Sequence, residues 1–159
     1  MKRSTRLMAS TVALLLAACA TTPAPQTISQ TAAATPELST LTRLLKEADL
    51  TETLQGAGPF TVFAPTDAAF KAVPAATMAA LAKDKERLKA ALTYHVVAGA
   101  LVSADLKNGP LKTVQGANLA LYRSGTFLTV EEALVTKADV RASNGVIQVV
   151  DKVLIPPAR

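Results

Sequence analysis

The apolar pattern of this chain changes period at His95, from helical spacing before it to short alternating runs after it. Thr35-Pro36-Glu37 reads as a helix start, with a capping hydroxyl, Pro in the first turn and an acid near the positive end. Leu38, Leu41, Leu44, Leu45 and Ala48 then recur at helical spacing. Gly56-Ala57-Gly58-Pro59 breaks the pattern, and Phe60-Thr61-Val62-Phe63 reads as a short strand. After Ala64-Pro65, Thr66 or Asp67 is placed to cap a short helix carrying Ala68, Ala69 and Phe70. Two further helices are predicted, Pro74–Lys83 and Asp84–Tyr94.

From His95 onward β-type runs are predicted at 95–97, 111–114, 119–122, 127–130, 135–141 and 146–150, divided by glycine- and proline-bearing turns. Asn144-Gly145 between two such runs predicts a hairpin with a type I′ turn, which needs φ > 0 at both centres. Helices first and then closely spaced strands make the expected class α+β, with a mainly antiparallel β-core. A chain of 159 residues, half of them hydrophobic, has room and apolar material for one such domain.

The formal charge of +5 suggests nucleic acid until its distribution is considered. Three of the 17 basic residues lie in the first six positions, and beyond them the balance is 14 against 12 acidic residues. The six aromatics (Phe60, Phe63, Phe70, Tyr94, Tyr122, Phe127) fall at positions read as core and do not interleave with basic residues. No nucleic-acid partner is expected.

Lys2, Arg3 and Arg6 precede an apolar run from Leu7 to Ala18, so residues 1–18 read as a signal peptide. A helix over those twelve apolar residues reaches about 18 Å, well short of the roughly 30 Å hydrocarbon core that a membrane anchor must cross. Leu16-Ala17-Ala18-Cys19, ending the run with the chain's only cysteine, resembles the lipobox of bacterial lipoproteins. The resemblance implies cleavage before Cys19, a lipid thioether on its sulfur, acylation of the new amine (palmitate being the expected acyl group) and stable attachment to the membrane through several chains. Ala20 rather than Asp follows the cysteine, which in that class leans toward the outer membrane. Residues 19–35 are uncharged and rich in Thr, Ala and Pro, and read as the lipidated cysteine and a flexible tether of roughly 20–25 Å. The folded domain is expected at 36–157.

Catalytic chemistry is sparse. One histidine and one cysteine exclude a two-His zinc motif, a CxxC pair and an intramolecular disulfide. No nucleophile elbow, P-loop or dinucleotide fingerprint occurs. No metal, cofactor or catalytic residue is expected. Glu131-Glu132 reads as a solvated turn or strand end.

Three segments, in order, resemble the fasciclin domain family. Gly58-Pro59-Phe60-Thr61-Val62-Phe63-Ala64-Pro65-Thr66-Asp67-Ala68-Ala69-Phe70 is similar to its first signature block. Leu92-Thr93-Tyr94-His95-Val96-Val97 is similar to its central Tyr-His motif, and Asn144 to Pro156 to its second block. The resemblance implies a β-sandwich-like wedge with several helices packed around it. It also implies a monomeric, non-enzymatic binding or adhesion module of the cell envelope, with an envelope protein or polysaccharide as partner. A lipoprotein holding a small molecule or glycan in a cleft is the alternative. Tyr94 and His95 are the candidate motif, as partner contacts or as structural residues. The Asp-Ile pair of the family's animal adhesion members does not occur in this chain. As a structural residue, His95 is expected to tie its helix, the following strand and the Thr66-Asp67 turn together.

Overall fold

The computed structural model describes residues 24–156. Two strands distant in sequence, β1 (Phe60–Pro65) and β7 (Gly145–Val150), lie side by side and parallel, with Phe60 opposite Gly145 and Pro65 opposite Val150. Between them in the chain come β2 (Val96–Ala98), β3 (Gly109–Lys112), β4 (Asn118–Ser124), β5 (Phe127–Val130) and β6 (Ala133–Ala142). The sheet order is β2-β1-β7-β6-β5-β4-β3, and every pairing except β1 with β7 is antiparallel. β6 changes register twice between Val135 and Val140, so its two ends serve two halves of a bent sheet. A bridge between Val97 and Thr113, with the Val114 amide donating to the Val96 carbonyl at 2.8 Å, links the two outermost strands and nearly closes the sheet. Closure removes the exposed edges that invite pairing with other chains.

The helices are α1 (Ile28–Ala34), α2 (Ser39–Glu47), α3 (Asp67–Ala72), α4 (Ala75–Lys83) and α5 (Lys85–Tyr94). Period-2 alternation along β1 divides the core. Val62 and Ala64 meet Leu41, Leu45, Leu88 and Leu92 of the helices, whereas Phe63 faces Leu119, Leu121 and Val130 between the sheet halves. β7 is buried at all six positions, as a strand covered on both faces must be. The α+β class and the wedge of sheet and helices are therefore as expected.

Three expectations are corrected. Residues 28–34, assigned to the tether, form α1, whose Ile28 and Ala32 are almost fully buried in the core. The helix is started by a capping box. Gln30 N–H donates to Thr27 Oγ1 at 3.4 Å, and Thr27 N–H donates to Gln30 Oε1 at 3.0 Å. One apolar pair at i, i+4 was too short a stretch to register as periodicity. The folded unit thus begins before Pro36. Residues 1–18, Cys19 and the adjoining positions to 23 lie outside the described residues, and with them the signal-peptide and lipidation readings.

Second, Pro36–Leu38 is a turn of 3-10 helix, and α2 starts at Ser39. Its start is held through space by Asp67, which accepts from the Thr40 amide at 2.8 Å and from the Ser39 hydroxyl Oγ at 2.6 Å. Third, the β6–β7 loop is Ser143-Asn144, one residue earlier than expected, because Ala142 pairs with Gly145. Neither loop residue has a positive φ, so the turn is not type I′. Glycine is needed at 145 for space. A Cβ there would overlap the Phe60 carbonyl oxygen and approach Ile28 Cδ1 to 2.8 Å.

Candidate functional site

The Tyr94-His95 pair sits where α5 ends and β2 begins. Asp84 fixes the start of α5 by accepting from the amides of Glu86 and Arg87 at 3.1 and 3.2 Å. The buried face Leu88, Ala91 and Leu92 then lays the helix on the sheet. That placement carries both motif residues inward, to 3% and 2% exposure.

Both ring nitrogens of His95 are engaged. The amide of Leu154 donates to Nε2 at 2.9 Å, so Nε2 must carry a lone pair and Nδ1 the proton. Nδ1 accordingly donates to the Ala91 carbonyl at 2.7 Å. Burial drives the imidazole pKa down to about 4, against a weaker opposing pull from the Ala91 carbonyl. The neutral ring thus joins α5 to the C-terminal segment. The expected link to the Thr66-Asp67 turn is not made, because both residues are committed elsewhere. Thr66 Oγ1 caps α3 at the Ala69 amide, and Asp67 serves α2.

Tyr94 projects between the sheet halves. Its hydroxyl donates to the Asn118 carbonyl at 3.3 Å and lies 3.5 Å from Glu131 Oε1. Burial, then the nearby Glu131 carboxylate, raises its pKa. Glu131 stands at the β5–β6 turn with φ 55°. Its amide donates to the Ala120 carbonyl and its carboxylate accepts from the Ala120 amide, each at 2.7 Å. Glu131 therefore braces β4, while Glu132 is exposed as a turn residue should be.

The second signature block is equally committed to the fold. Asn144 Oδ1 accepts from the Ile28 amide at 2.9 Å, and its Nδ2 donates to the carbonyls of Leu54 and Gly56 at 2.6 and 3.1 Å. One side chain thereby holds α1, the 53–56 turn and the β6–β7 hairpin together. Sequence reasoning missed a further cluster around Asp139. At φ 58°, its carboxylate accepts from Ser103 N–H and Oγ, both at 2.6 Å, and from Gln148 Nε2 at 2.9 Å. Burial raises the Asp139 pKa, but the Ser103 and Gln148 hydrogen bonds outweigh it and hold the carboxyl below its usual value. Gln148 is fully buried and also donates to the Leu101 carbonyl at 3.3 Å, pinning the loop after β2. Its polar side chain in an otherwise apolar strand was the available signal.

The outer surface differs from the core expected for the aromatics. Tyr122 is 61% exposed and Phe127 is 64% exposed. Tyr122 lies opposite Thr129, and Phe127 opposite Ser124, so both rings stand on one face of β4–β5, away from the buried Leu121 and Leu128. The opposite face of these strands already fills the core, which leaves the two rings in water. Among the described residues no group of three His, Cys, Asp or Glu side chains is placed to hold a metal ion. No helix among them is long and apolar enough to cross a membrane.

Known proteins are similar to this chain in sequence and in fold. Protein sll1483 of Synechocystis is 44% identical over 140 residues, covering 87% of this chain and 78% of the relative. The cell surface glycolipoprotein MPB83 of Mycobacterium bovis is 41% identical over 129 residues, covering 78% of this chain. The immunogenic protein MPB70 of the same species is 41% identical over 128 residues, covering 77%. The chain spans 58% and 65% of those two mycobacterial proteins. In three dimensions it matches a FAS1 domain pair from the insect cell adhesion molecule fasciclin I, with a TM-score of 0.68 at 18% identity, covering 82% of this chain and 51% of that one. That likeness concerns the fold. Residues 36–156, from the turn before α2 to the end of the described C-terminal segment, match the family model of the Fasciclin domain, and the chain belongs to that family.

Proposed function

We propose that the protein is a cell-surface binding module without catalytic activity, anchored through lipid on Cys19 and presenting its fasciclin domain to protein or polysaccharide partners of the envelope. The observation that carries this reading is the exposed Tyr122–Phe127 face. Large aromatics dominate contact energetics where they are buried by a partner, and the described residues leave these two largely uncovered on one sheet face. The tyrosine hydroxyl and the neighbouring Ser124 and Thr129 supply polar groups beside the rings. Tyr94 and His95 serve the fold in this reading, since a buried side chain reaches a partner only if the domain opens.

The relatives support a surface location, one of them being named a cell surface glycolipoprotein. The protein acts as a monomer, on the outer membrane. Co-sedimentation of residues 20–159 with isolated envelopes tests the binding role. Wild type should pellet, and Tyr122→Ser/Phe127→Ser should stay in the supernatant with an unchanged melting temperature. Equal pelleting of the two would remove the aromatic face from the reading, and no pelleting of either would remove the binding role. Cys19→Ser tests the anchor: the protein should fold normally and leave the membrane fraction.

A further inference from the structure

A cleft of about 600 Å³ opens at the end of the sheet where β1 starts and β6 turns into β7, walled by Gly58, Pro59, Val102, Arg141, Ser143 and Asn144 among others. Arg141 is the charged side chain in its lining. It is exposed and forms no ion pair among the described residues. The acid that feels its charge, Asp139, already accepts from Ser103 and Gln148. The cationic head is thus available to an anion from outside. The cleft also marks where the chain leaves the domain toward its N-terminus. The amide of Ser143 donates to the Gln26 carbonyl at 2.8 Å, and the next ordered contact is Ile28 with Asn144.

We propose that this cleft is the membrane-facing surface of the anchored protein, with Arg141 seated among the phosphate headgroups of the bilayer that holds Cys19. The inference rests on the lipid-anchor reading above and adds an orientation to it. Seven residue steps separate Cys19 from Gln26, and whatever their conformation they span at most about 25 Å. Because α1 is docked on the domain, no further slack is available. The far ends of β1 and β7 lie about 17 Å beyond the cleft at strand rise, a distance only a nearly extended tether covers, so the tether favours the cleft face and the charge on Arg141 selects it.

One arginine near an anionic surface shifts partitioning only about fivefold. That is too little to bind a membrane from solution. It suffices to choose a face once the lipid holds the domain at high local concentration. Apolar Pro59 and Val102, which line the same cleft, suit the interfacial zone of a bilayer.

The test uses the full lipidated chain in vesicles of phosphatidylcholine and phosphatidylglycerol carrying a headgroup nitroxide lipid. With Cys19 lipidated, Ser143→Cys or Lys152→Cys introduces the one free thiol for a fluorescent label. Ser143 is at the cleft, and Lys152 is exposed beyond the opposite end of β7. Quenching at 143 should exceed that at 152 several-fold, and Arg141→Glu should bring the two together in a domain that circular dichroism shows to be still folded. Equal quenching in the lipidated parent, or a difference untouched by Arg141→Glu, overturns the inference alone. A Cys19 thiol that itself takes the label overturns the anchor reading and this orientation with it.

Discussion

The Leu154 amide donates to His95 Nε2 at 2.9 Å, joining the end of α5 to the segment after β7 across 59 residues of sequence. A backbone donor on Nε2 and a backbone acceptor on Nδ1 admit one protonation state, the neutral ring. A second proton would set two N–H groups against each other.

Stability should therefore depend on pH through His95. Its folded pKa is about 4 against an ordinary 6.5, so its contribution is complete above about pH 6.5. As pH falls from there toward 4 the unfolded chain takes a proton that the folded one refuses. Stability drops by about 3 kcal/mol over that window. Urea unfolding at pH 7.5, 5.5 and 4 reads this directly. His95→Gln should be less stable at pH 7.5 and lose the part of the slope above pH 5. A variant that keeps the parent's slope would contradict the assignment.

Gly145→Ala should be costly even though alanine is the smallest possible addition. The new Cβ would overlap the Phe60 carbonyl oxygen, a backbone atom held by the parallel β1–β7 ladder. Overpacking of this kind costs about 1–3 kcal/mol or more. A turn requirement alone would instead make the loop residues Ser143 and Asn144 the sensitive ones for backbone conformation. Ser143→Ala melting like the parent, with Gly145→Ala melting well below it, is the expected pattern.

Ile28 is buried to 1% within the main core, so Ile28→Ala should destabilise by about 2–5 kcal/mol. A chain starting at Pro36 should lose at least as much relative to one starting at Ala24. If the two melt together, α1 contributes nothing and the segment is a tether after all.

Asp67→Ala should cost about 0.5–2 kcal/mol, the usual loss of a helix cap, although the helix capped is α2 and not its own. The Ser39 hydroxyl bond, chiefly, holds the Asp67 pKa below 3.8 despite some desolvation. The contribution is thus complete above that value and fades as pH falls below it. Circular dichroism melts at pH 6 and pH 2.5 should differ less for the variant than for the parent.

Features set by neighbours in sequence were legible. Thr66 caps the helix that follows it, the helix predicted from Asp84 runs Lys85–Tyr94, and the strand at Phe127–Val130 lies where alternation put it. What could not be read is set by groups far apart in the chain. Nothing local announces that Asn144 will hold Ile28, that Gly145 must make room for Phe60, or that Leu154 will complete His95. Tyr122 and Phe127 have the β-propensity of core residues, and only the register of β4 with β5 turns them outward. The motif pair Tyr94-His95 was legible as a motif, while its burial required the helix to be seen lying on the sheet.

The parallel pairing of the first strand with the last fixes when the protein can fold. β1 has only the three-residue β2 beside it until Gly145–Val150 arrives, and β6 lacks its longest partner until the same moment. Contacts between such remote segments close late because the intervening loop must first surrender its freedom. The chain therefore completes its core only when nearly all of it has left the ribosome or the export channel. A truncation just before Gly145 removes the strand that joins β1 to β6 and with it the cooperativity of the whole domain.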